Sequence, residues 1–222
     1  MQPGYRYERK FVIALNQYEY IINQVETDGW NRLFPKRRIN NIYLDSIKKH
    51  SYHQSVDGEL RKEKYRIRWY GYTFPSDKVI ANPVFEVKVK RNTVNYKILK
   101  SLKAIQLYNG MAYTSLKRQV FGELSKRLPE YDSIKLFNKE IQFINSYERQ
   151  YFINSDSTVR LTIDKNQNYY QIIPCIRHYG KDVSIVVELK YNLDKDYKNF
   201  FLQTNLSQNS KFRNGIDFLF GI

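Results

Sequence analysis

The chain has 222 residues and a formal net charge of +15, because 37 lysines and arginines outnumber 22 aspartates and glutamates. This length allows one large domain or two small ones, and either can fold without a disulfide or a metal. Cys175 is the only cysteine, which excludes an internal disulfide and a cysteine-cluster zinc site. The sequence has no run of about 18 apolar residues and no apolar signal segment at its start, so a cytoplasmic protein is expected.

Strand patterns are predicted in both halves of the chain, and helical patterns follow the first strand, fill the middle of the chain and follow the last strand. The predicted strands cover residues 5–13, 38–45, 60–71, 83–91, 146–153, 159–164 and 183–189. The predicted helices cover residues 16–33, 96–107, 114–128 and 195–206. Apolar residues share one face of the third of these helices, namely Leu116, Val120, Leu124 and Leu128. No linker or repeat interrupts these elements, so residues 1–222 are predicted to form a single α+β domain with a mainly antiparallel sheet.

Charged and apolar residues alternate along several predicted strands, which places them on opposite faces. The polar and charged residues that share a face are Lys64 with Arg66 and Arg68, Glu8 with Lys10, Glu86 with Lys88 and Lys90, Tyr147 with Arg149, Arg160 with Asp164, and Glu188 with Lys190. A polar face of an antiparallel sheet is often simply solvated. Here, however, lysine and arginine are in excess, and the glutamates recur in Glu-x-Lys pairs on three separate strands.

A closed sheet with these faces turned inward would concentrate positive charge in its lumen. The residues concerned are Lys10, Arg66, Arg68, Lys88, Lys90, Arg149, Arg160 and Lys190. Like charges in a confined space repel, and their desolvation is costly unless they are paired. Arginine and lysine both bind phosphate oxygens. The pattern therefore predicts a pocket for a multiply charged phosphate chain, such as a triphosphate, whereas duplex DNA is too wide for a small barrel.

Glu188 is a carboxylate among these bases and needs an explanation. It can hold a Mg²⁺ or Mn²⁺ ion that bridges phosphate oxygens, because Mg²⁺ often binds phosphates through only one or two protein carboxylates. The alternative is a plain ion pair with Lys190 or with a neighbouring arginine. The residues by themselves leave both interpretations open.

Several strings of residues, in order along the chain, resemble the vacuolar transporter chaperone (VTC) domain. They are Tyr7-Glu8-Arg9-Lys10-Phe11, Tyr43-Leu44-Asp45-Ser46, Tyr65-Arg66-Ile67-Arg68-Trp69-Tyr70-Gly71, Phe85-Glu86-Val87-Lys88, Tyr147-Glu148-Arg149, Val159-Arg160-Leu161-Thr162-Ile163-Asp164, Val187-Glu188-Leu189-Lys190 and Ser210-Lys211-Phe212. The resemblance implies an α+β fold of the triphosphate tunnel metalloenzyme type. In that fold a closed antiparallel eight-stranded β-barrel forms a tunnel with a polar, basic lumen, flanked by helices.

The resemblance also implies a function, a polyphosphate polymerase that transfers the γ-phosphoryl group of ATP to a growing polyphosphate chain with Mn²⁺ or Mg²⁺. Carried over to this sequence, it makes Lys211, Arg66 and Arg68 catalytic and Glu188 the metal ligand. It implies that ATP and phosphate are bound by Lys10, Arg66, Arg68, Lys88, Lys90, Tyr147, Arg149, Arg160, Lys190, Ser210 and Lys211. The expected partners are ATP, inorganic polyphosphate, pyrophosphate and triphosphate, with no specific nucleic acid.

The sequence departs from the relatives of this domain in two respects. Superfamily members with Glu-x-Glu-x-Lys in the first strand have an acid where this chain has Arg6, which argues against a two-carboxylate triphosphatase site. The fungal proteins also carry a phosphate-sensing domain and membrane helices, so this sequence resembles a stand-alone bacterial domain and leaves a membrane partner open. The alternatives are a triphosphatase of the same fold and a non-enzymatic module that binds polyphosphate, RNA or an acidic partner.

Overall fold

The computed structural model describes residues 6–71, 79–92, 94–128, 135–192 and 206–222. The strands are β1 (Arg6–Ile13), β2 (Asn31–Ser46), β3 (Arg61–Tyr70), β4 (Val79–Ile80), β5 (Val84–Arg91), β6 (Val94–Ser101), β7 (Ile105–Gln106), β8 (Lys139–Ile153), β9 (Val159–Gln171), β10 (Arg177–Asp182) and β11 (Ile185–Asn192). The helices are α1 (Tyr18–Thr27), α2 (His50–Val56), α3 (Tyr113–Arg127) and α4 (Lys211–Phe220). The predicted α+β class is confirmed.

Most of the strands belong to one large antiparallel sheet, in the order β1-β11-β9-β8-β2-β3-β5-β6, with β10 beside β9. Strands β4 and β7 form a separate antiparallel pair. Within the described ranges no pairing joins β1 to β6, so closure of the sheet into a barrel is not detected. The closed eight-stranded tunnel therefore stays a prediction. None of the helices in the same ranges is long and apolar enough to cross a membrane.

The chain divides into two compact units, and the single domain over residues 1–222 stays a prediction. Unit 1 consists of Met1–Arg37, Tyr147–Gln167 and Lys181–Ser210. Unit 2 consists of Arg38–Ser146, Asn168–Gly180 and Lys211–Ile222.

The core of unit 1 forms between α1 and the apolar face of β1, β9 and β11. Helix α1 contributes Ile21, Ile22 and Val25 to this core. The helix is shorter than the predicted 16–33, because Gly29 adopts a left-handed φ of 74°. Gly29 N–H bonds to the Glu26 carbonyl and Trp30 N–H to the Val25 carbonyl, which closes the helix end with the hydrogen bonds of a Schellman motif. The chain can then begin β2 at Asn31.

The core of unit 2 forms between α3 and the apolar faces of β3 and β5. The predicted helix at 114–128 is confirmed with its apolar face buried, since Leu116, Val120, Leu124 and Leu128 are all in this core. The predicted alternation in β3 and β5 is confirmed as well. The buried apolar residues of those strands are Tyr65, Ile67, Trp69, Phe85, Val87 and Val89, and Glu86 is the one residue of the charged face that is also buried.

The helix predicted at residues 96–107 is wrong, because this segment forms β6 and β7. Asn92 has a left-handed φ of 53° in the connection that follows β5, a conformation that asparagine tolerates well in turns. The chain returns as β6 and pairs with β5 along its length. Apolar residues spaced three and four apart, such as Ile98, Leu102 and Ile105, imitate a helical face in this segment. Most of the other predicted helix, at 195–206, falls in residues 193–205, outside the described residues.

Candidate phosphate site

In unit 1, charged side chains occupy the face of the sheet opposite the apolar core. We call them the unit 1 cluster, which consists of Glu8, Lys10, Arg149, Arg160, Asp164, Glu188 and Lys190. The register sets Lys10 opposite Glu188 and Lys190 opposite both Glu8 and Arg160. Lys10 Nζ lies 2.7 Å from the Glu8 carboxylate and donates to the Asn209 carbonyl at 3.1 Å. Burial alone would lower the pKa of Lys10, but Glu8 and Glu188 outweigh it and raise that pKa above its ordinary value.

Glu188 is a buried acid of the unit 1 cluster, and only 6% of it is exposed. Its carboxylate lies 2.5 Å from Lys190 Nζ and 3.8 Å from Arg149 Nη2. Burial opposes ionisation, but Lys190, Arg149 and Lys10 together hold the pKa of Glu188 well below its usual range. The ion pair with Lys190 that the sequence left open is therefore present, and Glu188 is an ionised carboxylate at neutral pH.

Arg149 organises the acids of this cluster. Its Nε and Nη2 donate to the two carboxylate oxygens of Asp164 at 2.5 and 2.6 Å, and Asp164 is fully buried. The guanidinium also lies over the ring of Tyr147, 5.4 Å from its centroid. Burial would lower the pKa of Arg149, but Asp164, Tyr147 and Glu188 raise it well above its ordinary value. Arg149 thus holds Asp164 and Glu188 in place with a fixed positive charge.

In unit 2, strands β3, β5 and β6 carry a second charged face, which we call the unit 2 cationic face. It consists of Lys64, Arg66, Arg68, Glu86, Lys88, Lys90 and Lys97. Glu86 is 1% exposed and contacts Arg66 at 2.8 Å, Lys97 at 3.2 Å and Arg68 at 3.4 Å. Burial opposes its ionisation, yet Arg66, Lys97 and Arg68 lower the pKa of Glu86 below its ordinary value. One buried carboxylate thus serves several cations.

Three lysines of this face lie in a row across adjacent strands. Lys88 is directly opposite Lys64 on one side and directly opposite Lys97 on the other. Like charges in directly opposed positions destabilise a sheet, because their side chains are neighbours. A bound polyanion would remove that repulsion. The row is therefore suited to a ligand with a line of negative charges.

The sequence analysis missed a series of hydrogen bonds between side chains on the unit 2 cationic face. Arg66 Nη1 donates to Asn41 Oδ1 at 3.3 Å, and Asn41 Nδ2 donates to Asn145 Oδ1 at 2.9 Å. Both asparagines are fully buried. The available signal was an asparagine within an otherwise apolar strand segment, as in Phe143-Ile144-Asn145. Such a residue needs a hydrogen-bond partner when it is buried.

The predicted catalytic lysine, Lys211, begins α4, and Ser210 immediately precedes it. The next residue, Phe212, packs against Tyr43 and Phe143 with ring centroids 5.4 and 6.3 Å apart. A Cβ at Gly215 would lie 2.3 Å from the ring of Phe143, so glycine permits this close approach of the helix.

Helix α4 reaches the unit 2 cationic face at its first turn, because Lys64 Nζ lies 5.9 Å from the centroid of the Phe212 ring. Of the predicted phosphate ligands, the structure brings together Arg66, Arg68, Lys88 and Lys90 in unit 2, with Lys211 at the start of α4. The predicted ligands in unit 1 are Lys10, Tyr147, Arg149, Arg160 and Lys190. Arg160 in unit 1 and Lys90 in unit 2 occupy exposed positions.

The acids of the unit 1 cluster fit a divalent cation only if a phosphate ligand supplies the remaining oxygen donors. Glu8 and Glu188 lie on the same face of the neighbouring strands β1 and β11 and offer hard oxygen donors. Over the described ranges, no group of three or more histidine, cysteine, aspartate or glutamate side chains is arranged to hold a metal. Mg²⁺ and Mn²⁺ accept one or two carboxylates when phosphate oxygens complete the coordination. The residues present fit a cation that is shared with a phosphate ligand.

These features define a class of protein, an α+β domain whose cation-rich sheet faces are suited to phosphate ligands. The VTC domain family matches residues 5–220, which is nearly the whole chain, and the chain belongs to that family. No curated protein matches the chain.

Solved structures that resemble the chain include two described as proposed adenylate cyclases. The one from Vibrio parahaemolyticus is 11% identical with a TM-score of 0.44, and the match covers 88% of this chain and 80% of that one. The one from Bacillus halodurans is 13% identical with a TM-score of 0.49, covering 86% and 82%. A protein from Pyrococcus horikoshii OT3 is 14% identical with a TM-score of 0.40, covering 86% and 80%.

The lowered pKa of Glu86 predicts a loss of stability in acid. A carboxyl whose pKa is depressed on folding stabilises the fold above its unfolded pKa, here 4.5, and that stabilisation is lost as the pH falls through the folded value. Glu86→Gln has no such group, so its unfolding free energy should decline less steeply than that of the wild type between about pH 5 and 2. Urea denaturation across this range measures both slopes.

The control for this experiment is Glu26→Gln, which removes an exposed partner of Arg32. Its slope should match that of the wild type, since exposed ion pairs contribute little. Equal slopes in Glu86→Gln and the wild type would contradict the assignment.

Proposed function

We propose that this protein is a polyphosphate polymerase, which transfers the γ-phosphoryl group of ATP to the end of a growing inorganic polyphosphate chain. The observation that carries the proposal is the unit 2 cationic face, where Lys64, Lys88 and Lys97 stand in a row beside the buried acid Glu86. A linear string of phosphates matches this row better than a single phosphate does, because each lysine meets its own negative charge. Membership of the VTC family supports the same substrate class.

The proposed reaction needs little covalent chemistry from the protein. A terminal oxygen of the acceptor chain bonds to the γ-phosphorus of ATP, the bond from that phosphorus to the β–γ bridging oxygen breaks, and ADP leaves. Phosphoryl transfer of this kind is accelerated mainly by positioning and by fixed positive charge. Arg66 and Arg68 are held by Glu86 and thus present rigid donors to phosphate oxygens. Lys211 is assigned to the reacting phosphate.

In unit 1, Lys10, Lys190, Arg149 and Arg160 are proposed to bind phosphate, with Tyr147 supporting Arg149. Glu188, with Glu8 on the adjacent strand, would hold Mn²⁺ or Mg²⁺, and the cation would neutralise charge on phosphoryl oxygens when bound. The remaining ligands of the proposal are Lys88, Lys90 and Ser210.

The proposal includes the closed eight-stranded tunnel that the family resemblance implies, and a cytoplasmic location. The support for the tunnel is a large antiparallel sheet in which the charged residues of each unit keep to one face. A closed basic channel would exclude water and thereby favour transfer over hydrolysis.

Incubation of the purified chain with ATP and Mn²⁺ tests the proposal. Long phosphate chains on a gel, formed together with ADP, are the expected product. Release of orthophosphate without chains would identify a triphosphatase instead. Tripolyphosphate binding without turnover would identify a non-enzymatic module, and either outcome would overturn the polymerase assignment.

Lys211→Ala is expected to lower chain synthesis by about a hundredfold in the same assay, the loss typical of a group that stabilises transition-state charge. Lys126→Ala is the matched control, since Lys126 lies in the exposed last turn of α3. It should retain the wild-type rate. Full activity of Lys211→Ala would remove Lys211 from the site and leave the fold assignment intact.

A further inference from the structure

A chain of hydrogen bonds on the unit 2 cationic face ends in a side-chain amide whose N–H groups have no acceptor among the described residues. Arg66 donates from Nη2 to Glu86 at 2.8 Å and from Nη1 to Asn41 Oδ1 at 3.3 Å. Asn41 in turn donates from Nδ2 to Asn145 Oδ1 at 2.9 Å. The Nδ2 of Asn145 is buried, and no described residue accepts a hydrogen bond from it.

The direction of this chain follows from the chemistry of its first member. A guanidinium can only donate, so the Asn41 atom that faces Arg66 must be the oxygen. The Nδ2 of Asn41 then faces Asn145, whose amide must present its own oxygen to accept. The Nδ2 of Asn145 is therefore the last group of this hydrogen-bond chain, and it carries two N–H donors.

This donor lies on the same face as the phosphate-binding arginines. Asn41 is directly opposite Arg68 in the register of β2 and β3, and Asn145 bonds to Asn41. A buried donor without an acceptor destabilises a protein as much as a lost hydrogen bond does. The positive charge of Arg66 polarises the two amides in sequence and makes the terminal N–H groups better donors. An anionic oxygen is the acceptor that suits such a group best.

We infer that Asn145 Nδ2 donates a hydrogen bond to a phosphate oxygen of the bound tripolyphosphate or polyphosphate chain. The inference rests on the proposed function and adds a binding residue to its site. Asn41 is a positioning residue, since it orients Asn145 and links it to Arg66. A neutral amide supplies a directional donor on a face where another cation would increase the repulsion among lysines and arginines.

Binding of inorganic tripolyphosphate to the full chain, measured by calorimetry without metal, tests the inference. Asn145→Asp keeps an oxygen that accepts from Asn41 and replaces the donor with an acceptor, so it should weaken binding by about tenfold or more. Asn145→Ala adds no charge and should also weaken binding by roughly tenfold. Loss in both variants excludes charge repulsion by the new aspartate as the sole cause.

Asn40→Ala is the matched control. Asn40 is as fully buried as Asn145, its side-chain atoms also have no partner among the described residues, and it lies opposite Trp69 on the other face of β2. Its removal should leave tripolyphosphate affinity unchanged. Thermal unfolding without ligand is measured on all three variants, and Asn145→Ala alone decides the result if Asn145→Asp does not fold.

The outcomes separate the inference from the proposed function. Wild-type affinity in both Asn145 variants overturns the inference, while chain synthesis by the wild type still supports the polymerase. Equal losses in Asn145→Ala and Asn40→Ala reveal a general loosening of the sheet and also overturn it. A wild-type chain that does not bind tripolyphosphate overturns both.

Discussion

Glu188→Gln is expected to lower the rate of polyphosphate synthesis by about a hundredfold or more, because it removes the carboxylate assigned to the divalent cation. The substitution is nearly isosteric and leaves Lys190, Arg149 and Lys10 in place around a neutral amide. Affinity for tripolyphosphate without metal should be equal to or higher than that of the wild type, since a negative charge is lost. Initial rates over a range of Mn²⁺ concentrations and calorimetry measure the two effects.

A lower rate of synthesis combined with an unchanged or higher affinity for tripolyphosphate distinguishes a metal-binding role of Glu188 from a structural one. If Glu188 served only as an ion-pair partner of Lys190, its replacement would change folding stability and leave the dependence of the rate on Mn²⁺ unchanged. Glu26→Gln, at an exposed ion pair with Arg32, should alter neither the rate nor the affinity. A Glu188→Gln enzyme with the wild-type rate would refute the assignment.

Arg149→Met is expected to lower the free energy of unfolding by about 3–5 kcal/mol. The arginine makes two hydrogen bonds to Asp164, which is fully buried, and lies 3.8 Å from Glu188. Its loss leaves a buried carboxylate without its counter-charge, which costs more than the pair contributes as a whole. In a chain of this size the melting temperature should fall by roughly 10 °C.

A second substitution and a surface control test that explanation. Adding Asp164→Asn to Arg149→Met should recover part of the loss, because the uncompensated charge is removed. Arg32→Met, at the exposed pair with Glu26, should change stability by less than about 1 kcal/mol. Urea denaturation of the four proteins gives the comparison, and a double variant no more stable than Arg149→Met would contradict the charge argument.

The alternation of charged and apolar residues gave the most reliable predictions from the sequence. Lys64, Arg66 and Arg68 do share a face opposite a buried tyrosine, isoleucine and tryptophan, because strand geometry places alternate residues on opposite sides whatever the partner strand is. The helix α3 was predicted for a similar reason, since apolar residues recur at every fourth position from Leu116 to Leu128. The segment at 96–107 could not be assigned correctly, because its apolar spacing fits a helix, whereas pairing with β5 made it a strand.

The contacts within the site could not be predicted from the sequence, because they join residues that are far apart along the chain. The sequence shows that Glu188 stands beside Lys190, but the approach of Arg149 and Lys10 requires the register of β1, β9 and β11. No pattern near Asn145 indicates that its oxygen accepts from Asn41, which is 104 positions away along the chain.

The sequence by itself determined which residues share a face on the strands that it predicted and indicated a phosphate-rich ligand, because charge and alternation are local properties that do not depend on the choice of strand partner. Only the tertiary structure decided which cations share a carboxylate, which acids are held ionised, and where a buried amide is left with hydrogens to donate. Those properties come from strand register and burial, and side chains distant in sequence acquire them only when the sheet forms.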